Sequence, residues 1–151
     1  MASLTIIRTN SENADFLQLV QELDRYLAIR NGDSNDFFAQ FNKVENLAQV
    51  VLVYLDNIPV GCGAIKEFDS ETMEIKRMFV PNNLRGKGIA SQVLRELEVW
   101  TKELGYKKTI LETGKDMVDA VGLYQKNQYQ IIPNYGQYIE VESSVCMEKI
   151  L

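Results

Sequence analysis

The stretch from Arg77 to Trp100 constrains this chain most. Glu74 to Val80 is an extended, apolar-rich run, and Pro81, Asn82 and Asn83 end it with turn chemistry. Arg85-Gly86-Lys87-Gly88-Ile89-Ala90 then opens a helix, with Ile89, Ala90, Val93, Leu94, Leu97, Trp100 and Leu104 at helical spacing. A glycine-rich turn that runs into a helix start suits an anion. Unpaired N–H groups point outward, and the helix dipole adds partial positive charge. Gly86 and Gly88 carry no Cβ that would hold a phosphate away from the backbone. The charges agree. Ile75 to Arg95 holds five cations (Lys76, Arg77, Arg85, Lys87, Arg95) and no acid, in a chain whose total is −5. The remainder is therefore at −10, and the contrast points to a polyanionic ligand here rather than to general basicity.

The wider composition removes several chemistries. There is no histidine, which excludes Ser-His-Asp and Cys-His catalysis and histidine-ligated metals. Proton transfer then falls to carboxylates, Tyr, Lys, Cys or water. Cys62 and Cys146 are too few for a disulfide framework or a cysteine zinc site, so no metal is expected. They read as buried small hydrophobes in a reduced, cytoplasmic setting. A sequence pI near 4.8 argues against nucleic acid as the main partner. No apolar run approaches a membrane span, and no signal-peptide pattern is seen, so no membrane partner is expected. At 151 residues, the chain suits a single domain over residues 1–151.

In chain order, Leu4 to Arg8 reads as a strand. Ser11, with Asp15 nearby, starts a helix whose apolar stripe is Phe16, Leu19, Val20, Leu23 and Leu27, ending near Arg30. Asp36 to Asn42, with Phe37, Phe38 and Phe41, reads as a short second helix, either core or a wall of an acceptor pocket. Gln49 to Leu55 and Ile58 to Lys66 form a hairpin across Asp56-Asn57. Gly61 and Gly63 in its second arm suggest a bulge or close backbone approach. Thr72 to Val80 is a further antiparallel strand, and a long helix runs from the glycine turn to about Leu104. Lys108 to Glu112, a helix over about Met117 to Asn127, and strands over Tyr129 to Ile132 and Ser144 to Glu148 complete the chain. Gly122 inside the last helix suggests close packing.

The glycine turn is neither a P-loop nor GxGxxG. Arg85-x-x-Gly88-x-Ala90 fits [R/Q]-x-x-G-x-[G/A], and here the chain resembles the GNAT family, the Gcn5-related N-acetyltransferases. The element order β-α-α-β-β-β-α-β-α-β-β, an α/β fold on a mixed sheet, resembles that family over nearly the whole chain. Glu74-Ile-Lys-Arg-Met-Phe-Val-Pro is similar to its fourth strand, Tyr106 to Glu112 to its fifth, and Ala120-x-x-Leu123-Tyr124-x-Lys126 to its A-x-x-L-Y-x-K helix. The ending Ser144 to Lys149 resembles a bacterial, YsnE-like branch of small-molecule acetyltransferases. Two positions depart from the pattern. Gln128-Tyr129 stands where the family has Gly-Phe, and Met117 stands where an Asn commonly faces the pantetheine arm.

The resemblance implies acetyl transfer from acetyl-CoA to a primary amine of a small molecule or amino acid. The same scaffold would also suit a protein lysine or N-terminal acetyltransferase, or a CoA-binding sensor without turnover. The implied cofactor contacts are the loop Arg85, Gly86, Lys87, Gly88, Ile89 and Ala90 with Ser91 on the pyrophosphate. The edge of Met78, Phe79 and Val80 would take the pantetheine amides as an added strand, with Met117 and Tyr124 further along the arm. Val80 or Phe79 would offer an N–H to the tetrahedral oxyanion. Tyr124 matches the tyrosine that faces the CoA sulfur and serves as acid. Glu74 sits eleven residues before Arg85, the offset of the base in some family members, with Glu112 or a water wire as alternatives. Pro133 to Val141, containing Tyr135, Gly136, Tyr138 and Glu140, would lie over the acceptor side. The acceptor's identity and the oligomeric state, including a homodimer, stay open.

Overall fold

The structure, a computed structural model, describes residues 3–32 and 46–151. Its strands are β1 (Leu4–Thr9), β2 (Gln49–Leu55), β3 (Ile58–Asp69), β4 (Thr72–Phe79), β5 (Lys108–Gly114), β6 (Gln130–Ile132) and β7 (Ser144–Ile150). Its helices are α1 (Ala14–Asn31), α2 (Ile89–Glu103) and α3 (Val118–Lys126), with single 3₁₀ turns at Asn82–Leu84 and Gly136–Tyr138. The seven strands form one mixed sheet in the order β1-β2-β3-β4-β5-β7-β6. The order expected from sequence is met among the described residues. The helix expected over Asp36 to Asn42 lies outside them. By contact density the chain divides into two compact units, residues 1–65 with 77–97, and residues 66–76 with 98–151.

The first unit carries β1, α1, β2, most of β3, the end of β4 and the first turns of α2. Its core is the apolar stripe of α1 (Phe16, Leu19, Val20, Leu23) against Leu47, Val50, Leu52, Cys62, Ala64 and Phe79. Asn13, not Ser11, caps α1: its Oδ1 accepts from the N–H of Asp15 (2.9 Å) and Phe16 (3.1 Å). Ser11 is buried and does something else. Its N–H donates to the Leu47 carbonyl at 2.9 Å, and its Oγ accepts from the Leu47 N–H at 2.9 Å. The β2–β3 hairpin turns on Asp56 and Asn57, whose φ of 50° and 70° are the left-handed values that a two-residue turn needs. Gly61 and Gly63 mark a close approach of α2, as expected. A Cβ on Gly63 would stand 2.6 Å from Met78 Sδ and 2.8 Å from Val93 Cγ1, and one on Gly61 2.7 Å from Ile89 Cγ2.

The second unit carries the β3–β4 turn, the first half of β4, the end of α2, β5, α3, β6 and β7. β5 runs parallel to β4 over three pairs, Thr72 to Glu74 against Lys108 to Ile110, and antiparallel to β7 over its full length. A buried polar network ties this unit together. Glu98, near the end of α2, accepts from Lys149 Nζ at 2.8 Å and from the Tyr129 hydroxyl at 3.0 Å, and Tyr129 lies 2.7 Å from Thr109 Oγ1. One expectation fails here. A Cβ on Gly122 would meet nothing within 4 Å, so no described part of the chain packs closely against it. α2 ends at Glu103, in keeping with the end expected near Leu104, which is 42% exposed.

Candidate active site

The glycine turn belongs to the first unit. Gly86 and Gly88 take φ of 81° and 80°, a region that a side chain disfavours, and neither has a described chain atom within 4 Å of where a Cβ would be. Gly88 gives its carbonyl to the N–H of Gln92 at 3.2 Å, the first bond of α2. Among the described residues, the N–H groups of Gly86, Lys87, Gly88, Ile89 and Ala90 donate to no carbonyl outside regular structure. Five donors thus crowd a helix start with their hydrogen bonds unspent, which is the condition for holding an anion. The Arg85 side chain is exposed but folds back onto the chain. Its Nε donates to the Val80 carbonyl at 2.9 Å, and its guanidinium lies 5.1 Å from the Tyr26 ring centroid. Arg85 therefore braces the turn against β4 and α1, while Lys87 is exposed.

β4 changes character at Arg77. This residue has a φ of 57°, is 8% exposed, and pairs through Nη1 with Asp24 Oδ1 at 2.7 Å. Its carbonyl accepts from Cys62 Sγ at 3.3 Å. A left-handed, non-glycine residue inside a strand is a bulge that re-aims the residues after it. Met78 and Phe79 lie beyond it, and the β5 ladder has already ended at Glu74.

The carboxylates gather in the second unit. Glu74 on β4 accepts a hydrogen bond from the Tyr135 hydroxyl at 2.6 Å. Glu112 on β5 accepts one from Ser144 Oγ at 2.6 Å, and its carboxyl is pushed up from the usual range. Burial is the largest cause. The Glu74 charge adds to it, and the Ser144 bond and Lys76 oppose it. Tyr138 is pushed up by burial, then by the charges of Glu112 and Glu74, and Cys146 is pushed up by burial first. Glu74, Glu112, Tyr135, Tyr138 and Cys146 thus share one electrostatic neighbourhood. Cys62, in the first unit, is pushed up to about 12 by burial, so neither thiol is a ready nucleophile.

Tyr124 joins this neighbourhood from α3. It is buried, and burial followed by the Glu112 charge pushes its hydroxyl up. The hydroxyl makes no hydrogen bond among the described residues, and it is not one of the sealed polar atoms, which are Thr72 Oγ1 and Arg77 Nη2. Among the described residues it is therefore a donor without an acceptor. The ring packs edge-on against Tyr129, with centroids 5.8 Å apart. The fold accommodates the Gln128-Tyr129 departure. Gln128 takes φ of 69°, doing the work of a glycine, and Tyr129 is 3% exposed with its extra hydroxyl satisfied by Glu98 and Thr109. Met117 stands just before α3 without capping it, and its sulfur accepts from Thr113 Oγ1 at 3.7 Å. Sequence reasoning gave Tyr135 and Ser144 no role at the carboxylates. Tyr135 lies 61 positions from Glu74, and nothing local in the sequence connects them.

Residues 13–129 match the sequence profile of the acetyltransferase (GNAT) family. The chain belongs to that family. This GNAT protein is 30% identical over 153 residues to the IAA acetyltransferase of Azospirillum brasilense, with 100% of each chain covered. It is 37% identical over 93 residues to the uncharacterised N-acetyltransferase YsnE of Bacillus subtilis, covering 60% of this chain and 62% of that one. Among solved structures it resembles one from Klebsiella pneumoniae assigned as an acyl-CoA N-acyltransferase, with TM-score 0.81, 27% identity, and 98% and 97% of the two chains covered. A GNAT acetyltransferase from Elizabethkingia anophelis with acetyl-CoA bound shares the fold, with TM-score 0.70, 22% identity and 98% of each chain covered. This GNAT protein is an N-acetyltransferase, with the mixed α/β architecture of those relatives. None of its described helices is long and apolar enough to cross a membrane.

Proposed function

We propose that this enzyme transfers an acetyl group directly from acetyl-CoA to a primary amine of a small molecule or amino acid in the cytoplasm. The observation that carries the reading is the meeting of Glu74, Glu112 and the uncommitted Tyr124 hydroxyl in one neighbourhood. The unspent N–H groups from Gly86 to Ala90 fit a pyrophosphate, and the β4 edge beyond Glu74 fits strand addition by pantetheine amides at Met78, Phe79 and Val80. Ser91 in the first unit and Met117 in the second are further proposed cofactor contacts. Acetyl-CoA, when bound, supplies the acetyl group as an activated thioester. The acetyltransferase relative named for IAA supports a small-molecule acceptor.

An alkylamine has a pKa near 10.4, so only about one molecule in a few thousand is neutral at pH 7. The deficit is roughly 4–5 kcal/mol, and a base that removes the proton offsets it. Glu74 is that base. An N–H of Phe79 or Val80 meets the oxyanion, and Tyr124 donates to the departing sulfur. A thiolate leaves readily at a pKa of about 8.5, so the acid contributes less than the base. The decisive experiment measures free-thiol release from acetyl-CoA against a library of small amines, amino acids and peptides. Turnover with small amines is expected. Turnover with peptides alone would instead make this a protein acetyltransferase, and tight CoA binding without any turnover would make it a sensor.

A further inference from the structure

Tyr135 sits in the connection between β6 and β7, three residues beyond the end of β6. Its hydroxyl donates to Glu74 Oε2 at 2.6 Å, in the short range of a bond to a carboxylate. The ring has little freedom. It packs edge-on against Phe68 with centroids 5.2 Å apart, and against Tyr138 with centroids 6.0 Å apart at 89°. Tyr138 is itself buried at 4% exposure. Its carbonyl, with those of Val141 and Ser144, accepts from the Asn134 side-chain amide at 3.0 to 3.2 Å. The connection is thus a folded strut, and it delivers one hydroxyl to one carboxylate.

We infer that Tyr135 is a positioning residue for acetyl transfer, acting through Glu74. The inference rests on Glu74 being the base. A carboxylate on a strand can rotate about its side-chain torsions, and a base misdirected by about 1 Å loses much of its effect. The hydroxyl occupies one oxygen and leaves the other to face the amine. The groups that face Glu74 are Glu112 from β5, Tyr138 from the same connection and Cys146 from β7, with Lys76 of β4 acting on Glu112.

The test is a double-mutant cycle on the full chain with acetyl-CoA and the best amine found. Tyr135→Phe keeps the ring and both edge-on contacts and removes only the hydroxyl. It should lower kcat about tenfold, the scale of a bond to a charged group. The KM for acetyl-CoA should stay unchanged, and the melting temperature should stay within a few degrees. Glu74→Gln should cost about 100-fold near pH 7, shrinking at high pH where the amine arrives neutral. The double variant should be no worse than Glu74→Gln alone. Losses that multiply, or a Tyr135→Phe loss that appears in the acetyl-CoA KM instead of kcat, overturn the role of Tyr135 while the base assignment stands. A Glu74→Gln enzyme with full activity at every pH overturns both, and shows that the base assignment failed first.

Discussion

At the residue scale, two side chains separate chemistry from stability. Tyr124 is a buried donor with no hydrogen-bond partner among the described residues, and in the proposed mechanism it acts at the thiolate-forming step. Tyr124→Phe should therefore lower kcat several-fold and leave the acetyl-CoA KM nearly unchanged, as steady-state kinetics can show. A change in KM alone would recast the residue as packing. Glu112 carries the opposite lesson. Burial holds its proton more tightly in the folded chain than in the unfolded one. The protonated form therefore favours the fold. That contribution is complete below about pH 4, where the unfolded carboxyl is protonated as well, and is lost as pH rises through the raised folded value. Glu112→Gln stays neutral throughout and can still accept from Ser144. Urea midpoints should match the parent near pH 4 and exceed it at pH 7.5. A gap of the same size at both pH values would deny that the charge is what burial penalises. None of these partnerships was legible in sequence. Ser144 meets Glu112 because β7 pairs with β5, and Tyr135 meets Glu74 because a turn after β6 folds back. Both contacts join positions far apart in the chain, which local periodicity cannot report.

At the element scale much more was legible, because strands, helices and turns are written in neighbouring residues. The Asp56-Asn57 turn, the full extent of β2 and the start of β7 follow from turn chemistry and alternation. The start of α1 did not, because Ser11 and Asn13 are both good caps, and the backbone bonds to Leu47 recruit the first of them. The glycine turn, proposed to hold the pyrophosphate, is where element and proposed function coincide. Gly88→Val must force a branched side chain into φ near 80° and place it over the unspent N–H groups. Calorimetry should show acetyl-CoA binding abolished, with the circular dichroism of the fold retained. Near-native affinity would remove the anion assignment. The end of α3 makes a stability prediction of the reverse kind. The left-handed backbone of Gln128 costs about 1–2 kcal/mol, and glycine there relieves it at an entropic cost of about 0.5–1 kcal/mol. Gln128→Gly should raise the unfolding free energy by up to about 1 kcal/mol, read as a higher denaturant midpoint.

At the scale of the whole molecule, the order of elements and the family were legible because the β4–turn–α2 pattern sits inside a complete series of elements. The acceptor was not, since loop side chains choose it. The placing of the two cysteines has a practical consequence. Cys62 lies in the first unit and Cys146 in the second, and both are buried. The chain therefore carries its own pair of clocks, one thiol for each unit, with no engineering needed. A thiol-specific aromatic disulfide should label neither at first, and labelling should then track the rate at which each neighbourhood opens. Cys146 pairs on one side with Ile132 of β6, an edge strand of only three residues, whereas Cys62 lies inside the hairpin core. Short edges open before cores. Peptide mass spectrometry should find Cys146 modified well ahead of Cys62 in dilute urea, and the two rates should converge as the midpoint is reached. Equal rates at all urea concentrations would mean that the chain opens only as a whole.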